Sequence, residues 1–138
     1  MKIISLLAGV AVASSLLLAS SAPAHAADTK KAEKTKKPQL RHVVSFKFKA
    51  SATPEQIKKV EQAFADLPNK ITQIKKFEWG INNSPEKHNK GCTHCFILTF
   101  KSEKDRNDYL EAPAHKEFGS LVGPVLDDLV VIDFWTKE

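Results

Sequence analysis

The order of periodic segments predicts an α+β domain of β-α-β-β-α-β order, a ferredoxin-like split-βαβ arrangement with helices on one face of an antiparallel sheet. Three observations carry this. Four segments alternate in hydropathy with the period of a strand, two stretches repeat with the period of a helix, and capping or turn residues separate them.

The first strand spans Arg41 to Lys49, where His42, Val44, Phe46 and Phe48 share one face and Val43, Ser45 and Lys47 the other. Thr53-Pro54-Glu55-Gln56 then supplies an N-cap threonine, a proline at the first helical position and glutamine at the third, a capping box. Ile57, Val60, Phe64 and Leu67 follow at helical spacing, with Lys58, Lys59, Glu61 and Gln62 on the outer side, and Pro68 is expected to stop the helix. Ile74 to Ile81 reads as the second strand, with Phe77, Trp79 and Ile81 on one side. Residues 82–91 are polar and turn-rich, a long loop. Cys92 to Phe100 forms the third strand, alternating His94, Phe96, Leu98 and Phe100 with Thr93, Cys95, Ile97 and Thr99. Ser102 caps the next helix, Pro113 breaks it, and a stripe of His115, Phe118, Leu121 and Val122 continues to Gly123-Pro124. Leu129 to Trp135 closes the chain as the fourth strand.

The two faces of this sheet are both short of charge. His42, Phe46, His94 and Phe96 should face the helices, which leaves Val43, Cys95, Ile97, Val130, Ile132 and Phe134 on the other side. A solvated sheet face carries a charge at every second residue, and an apolar face of this size needs a cover. The expected cover is a second copy, giving a homodimer through the sheet face.

Ahead of the domain, Met1-Lys2, an apolar run from Ile3 to Leu18 and Ala24-His25-Ala26 have the form of a signal peptide over residues 1–26, cleaved near Ala26. A membrane anchor is the competing reading, but a span needs roughly 20 apolar residues and Ser20 to Pro23 cuts this run short. The expectation is therefore export to the periplasm or beyond, with no stable membrane insertion. Residues 27–38 have no apolar side chain larger than alanine before Pro38 and read as a flexible Lys-rich linker. They also carry the excess charge: of 21 basic residues, Lys2 and five tail lysines precede residue 39, leaving 15 basic against 14 acidic in residues 39–138. A nucleic-acid surface would place its charge on the folded domain, so that class is set aside.

The segment from Tyr109 to Phe118 is the one place where packing residues share a short stretch with a phenol and an imidazole. Pro113 sets Tyr109 on the last turn of one short helix and His115 on the first turn of the next, so both can face one pocket. An imidazole can remove a proton alpha to a carbonyl, and a phenol can donate to the enolate oxygen that forms. The competing reading is packing at a helix junction. His42, His94 and His115 could offer three nitrogens to a metal, yet no closely spaced partner accompanies them, and hydrogen-bonded neutral imidazoles are expected instead. Neither a metal nor a cofactor is called for.

Cys92-Thr93-His94-Cys95 lacks the histidine that a haem attachment needs after its second cysteine, and it starts a strand rather than a helix. Three extended steps put the two Cα atoms about 10 Å apart, too far for a disulfide. Two small buried thiols are expected, and Trp79 and Trp135 as core or interface residues.

The stretch from His42 to Lys49, Phe77-Glu78-Trp79-Gly80, Gly91-Cys92-Thr93-His94 and Pro113-Ala114-His115 with Phe118 together resemble the stress-responsive dimeric α/β-barrel (Dabb) family, in order over residues 40–136. The resemblance implies a homodimer in which two ferredoxin-like sheets close one barrel. A plant polyketide cyclase of that family performs an aldol-type ring closure; its catalytic tyrosine and histidine fall on Tyr109 and His115, and its other pocket histidines on His42 and His94. Where that cyclase has a pocket tyrosine on the first helix, this chain has Phe64. The expected function is an exported α/β-barrel protein holding a small apolar ligand between helices and sheet, with His42, Val44, Phe64, His94, Phe96 and Phe118 as binding residues. The alternative is a lyase or cyclase using Tyr109 and His115, and related barrels that degrade haem or oxidise quinols give a third option.

Overall fold

The computed structural model of the chain describes residues 37–137. The expected signal peptide, and the linker up to residue 36, lie outside the described residues. The elements run β1 (Leu40–Phe48), α1 (Pro54–Lys70), β2 (Lys76–Ile81), β3 (His94–Phe100), α2 (Glu103–Glu111), α3 (Pro113–Val122) and β4 (Leu126–Trp135). The strands form one antiparallel sheet in the order β2-β3-β1-β4. This is the expected ferredoxin-like α+β fold, its second helical segment divided at Pro113.

The helix starts follow their caps. Thr53 accepts from the Gln56 N–H while the Gln56 side chain accepts from the Thr53 N–H, and Pro54 opens α1 where no N–H is needed. Ser102 accepts from the Asp105 N–H at the start of α2. Pro113 ends α2 and begins α3, with Ala112 extended between them.

Register sorts the side chains. Opposite Val43 lie Ile97 on β3 and Ile132 on β4, and opposite Ser45 lie Cys95 and Val130, so these residues share the face away from the helices. Val130, Ile132 and Phe134 are 42 %, 54 % and 47 % exposed there. Under the helices, Val44, Phe46, Phe96, Leu98 and Phe100 pack against Val60, Phe64, Leu67, Tyr109 and Phe118 as one core. Phe64 stands at its centre, its ring centroid 4.2 Å from Phe96, 4.6 Å from Phe118 and 5.8 Å from Phe46.

Several expectations are corrected. Helix α1 runs through Pro68 to Lys70. Proline forfeits one hydrogen bond, but the Ile71 N–H still reaches the Leu67 carbonyl at 2.8 Å, and Leu67 and Ile71 are both buried. Glu61 turns from the outer side of α1 toward the sheet, drawn by a hydrogen bond to His94. Strand β2 starts two residues later than expected and β4 three residues earlier, the latter gained beyond an irregularity between Lys47 and Phe48. Both cysteines are free; Cys92 is buried, but Cys95 sits half-buried on the outer sheet face. Of the two places expected for Trp79 and Trp135, core or interface, their 41 % and 40 % exposure excludes the core of this chain and leaves the interface. Among the described residues no helix is long and apolar enough to cross a membrane.

Candidate functional site

Between the β1–β4 half of the sheet and α3 lies a cavity of about 140 Å³. Its apolar walls come from Val44 and Phe46 on β1, Phe64 on α1, Phe118 and Val122 on α3, and Leu126 and Leu129 on β4. Its polar groups are His42, Tyr109 and His115.

Tyr109 is brought there by the last turn of α2 and is 1 % exposed. Its ring meets His115 at 4.5 Å, Phe100 at 5.3 Å and His42 at 5.7 Å between centroids. Burial pushes the phenol well above its ordinary range, so near neutrality it acts as a hydrogen-bond donor and not as a phenolate. Among the described residues no side-chain hydrogen bond occupies its hydroxyl, and no sealed, unpartnered polar side-chain atom occurs.

His115, on the first turn of α3, places Nδ1 3.1 Å from the Leu110 carbonyl. A carbonyl only accepts, so Nδ1 carries the proton and Nε2 keeps its lone pair. Desolvation lowers the His115 pKa below the usual value of 6.5, with the Leu110 hydrogen bond opposing more weakly and His42 adding to the drop. The ring is therefore a neutral base at pH 7. The sign follows: proton uptake is easier in the unfolded chain, so this group's contribution to stability is present above pH 6.5 and is lost as pH falls through its lowered folded value. Dependence of ligand binding on neutral His115 should likewise give an acid limb centred below pH 6.5, read by titrating affinity against pH; a limb centred above pH 7 would contradict the desolvated geometry.

His42 is buried, with Nδ1 2.8 Å from Asp133 Oδ1, and Arg106 Nη1 donates to Asp133 Oδ2 at 2.8 Å. The structure thus brings together His42, Val44, Phe64, Tyr109, His115 and Phe118 of the residues expected at the site.

It does not bring His94 or Phe96. Leu98 is the residue opposite His42, while His94 stands opposite Phe46, four residues or about 13 Å further along the sheet. There both His94 nitrogens are engaged, Nδ1 with Thr93 Oγ1 at 2.8 Å and Nε2 with Glu61 Oε1 at 2.9 Å. Phe96 is fully buried under Phe64 and Trp79. Among the described residues no group of three His, Cys, Asp or Glu side chains is placed to hold a metal.

A sequence profile of the stress-responsive A/B barrel domain (Dabb) matches residues 40–136. The chain belongs to this stress-responsive A/B barrel family. Within it, the chain is 37 % identical over 95 residues to the stress-response A/B barrel domain-containing protein HS1 of Arabidopsis thaliana, covering 69 % of this chain and 87 % of HS1. Olivetolic acid cyclase of Cannabis sativa is 28 % identical over 99 residues, 72 % of this chain and 98 % of the cyclase. Among solved structures, the hydroxynitrile lyase of Passiflora edulis superposes with a TM-score of 0.68 at 26 % identity, covering 72 % of this chain and 94 % of that one. A dimeric ferredoxin-like protein from Thermobifida fusca superposes at 0.63 with 23 % identity, covering 72 % of this chain and 92 % of that one.

Sequence reading missed Asp133, Arg106 and Glu61 in this A/B barrel domain. Asp133 left a signal: it is the single charge among Leu129, Val131, Asp133 and Trp135, the β4 set that shares its face with His42. A lone carboxylate in such a row asks for a partner. Arg106 left none, because a polar helix residue pairs wherever the sheet edge happens to lie.

Proposed function

We propose that this protein is an exported homodimer that holds a small, largely apolar carbonyl compound in the cavity beside Tyr109 and His115. The observation that carries the reading is the cavity itself, where apolar walls surround three polar side chains, His42, Tyr109 and His115, that have hydrogen-bonding capacity to spare. Its volume of about 140 Å³ is close to that of an engineered protein cavity of about 150 Å³ that takes up benzene, so a ligand of one ring or about six to eight heavy atoms fits. Homodimerisation is supported by the exposed apolar outer face and by the dimeric Thermobifida fusca neighbour.

One observation favours a reaction over simple binding. His115 offers an unprotonated Nε2 while the buried Tyr109 phenol offers a proton donor nearby, the pair needed to abstract a proton alpha to a carbonyl and hold the enolate oxygen. A cyclase and a hydroxynitrile lyase stand among the relatives. We therefore extend the reading to aldol-type or lyase chemistry on a small carbonyl compound.

Native mass spectrometry of the protein purified from its own source should show a retained small molecule that the His115→Ala variant does not retain. Equal retention by that variant would remove the site. Export is tested separately by N-terminal sequencing, which should read from at or near Ala27; an intact Met1 on the mature protein would make the apolar run an anchor.

A further inference from the structure

We infer that His42 is a second proton-transfer group of this cavity, held for that task by Asp133, which is in turn held by Arg106. The inference rests on the aldol-type reading above and adds to it a group on the opposite wall from His115.

Both imidazoles are fixed in the same way and backed differently. His115 donates from Nδ1 to the uncharged Leu110 carbonyl, whereas His42 places Nδ1 2.8 Å from a carboxylate oxygen of Asp133. A carboxylate accepts, so neutral His42 also carries its proton on Nδ1 and keeps the Nε2 lone pair, for which no partner occurs among the described residues. When Nε2 takes a proton, the positive charge forms on a ring already hydrogen-bonded to an anion, the arrangement that steadies an imidazolium in hydrolytic triads. Arg106 occupies the second Asp133 oxygen at 2.8 Å and hydrogen-bonds Asn107 through Nε, so the carboxylate cannot rotate away from His42 without breaking a charge-assisted bond. The groups facing His42 are thus Asp133 from β4, with Arg106 behind it, Tyr109 from α2 and His115 from α3; β3 presents only apolar side chains such as Leu98 and Phe100.

The chemistry this permits is addition of one small ketone or aldehyde to another, and its reverse. In the forward direction His115 Nε2 removes the α-proton, and Tyr109 donates a hydrogen bond to the enolate oxygen. The enolate carbon then bonds to the second carbonyl carbon, and the electron pair released onto that oxygen takes the Nε2 proton of His42, which enters this direction as an imidazolium held by Asp133 and leaves it neutral. One ring gains the proton the other gives up, and both return to their starting states through water. Cleavage runs the same steps backward, so each direction needs one proton shared between the two imidazoles and should show a bell-shaped dependence on pH.

The test uses the full chain and diacetone alcohol, a six-carbon aldol that cleaves to two molecules of acetone. Asp133→Asn should lower kcat roughly 100-fold with KM changed by no more than about twofold, as loss of a positioned acid–base group does. Asp133→Glu should recover much of the loss, and Arg106→Gln should lower kcat less while shifting the pH profile. Nitrogen NMR of histidine-labelled wild-type protein should find neutral His42 protonated on Nδ1. A proton on Nε2, or an Asp133→Asn variant with wild-type kcat and pH profile, overturns the role of His42 and leaves that of His115 standing. Wild-type protein inert toward the probe removes the aldol-type reading, and the His42 role with it.

Discussion

Ile132→Lys should convert the protein to monomer or to insoluble material. Ile132 is 54 % exposed on the outer sheet face, between Val130 and Phe134 and opposite Val43, in a row that the helices of its own chain do not reach. Burying such surface yields about 25 cal/mol per Å², and a dimer of standard size buries roughly 800 Å² on each partner. A lysine ammonium at the centre of that contact loses its water when two copies meet, because Val43 and Ser45 lie beside it on β1 and the charged residues Arg41 and Glu78 of this face already pair with each other at 3.6 Å. Sedimentation velocity at micromolar concentration checks this. Wild-type protein should sediment as a dimer; a wild-type monomer would contradict both the dimer and the closed barrel.

Phe64→Ala should cost about 3 to 5 kcal/mol of stability, a large share of the roughly 5 to 15 kcal/mol that holds a domain together. The ring is 1 % exposed and contacts Phe46, Phe77, Phe96 and Phe118, so its removal leaves a void that four aromatic rings cannot fill without leaving their rotamers. Because Phe64 also lines the cavity, the same change enlarges the ligand site. Chemical denaturation should show a much lower midpoint with an unchanged slope. A loss below about 1 kcal/mol would mean that α1 is not the helix that closes this core.

The sequence made the frame readable wherever a local rule decided the outcome. Thr53 and Gln56 can form only one box, Pro113 has no N–H to give, and alternation in β1 and β3 admits only one inward set. What escaped depended on distant partners. Pro68 sits inside α1 because buried Leu67 and Ile71 hold the last turn, a tertiary fact that no window around the proline contains. His42 and His94 share a face in any strand diagram, yet register sets them at different ends of the sheet, one bound to Asp133 and the other to Glu61. The pairing of Tyr109 with His115 was legible because Pro113 fixes the angle of their two helices locally; their junction with His42 was not, since it required the β1–β4 register.

The central claim is that a small carbonyl compound sits in the cavity that Tyr109 and His115 line side by side. Isotope-filtered NMR on the labelled protein with added benzaldehyde tests it most directly, through cross-relaxation between ligand protons and protein side chains. The account predicts contacts from the aldehyde proton to the Tyr109 and His115 rings, and from the phenyl ring to Val44, Phe64 and Phe118. Contacts confined to outer-face residues such as Ile97 and Ile132, or no contacts at millimolar ligand, would contradict it.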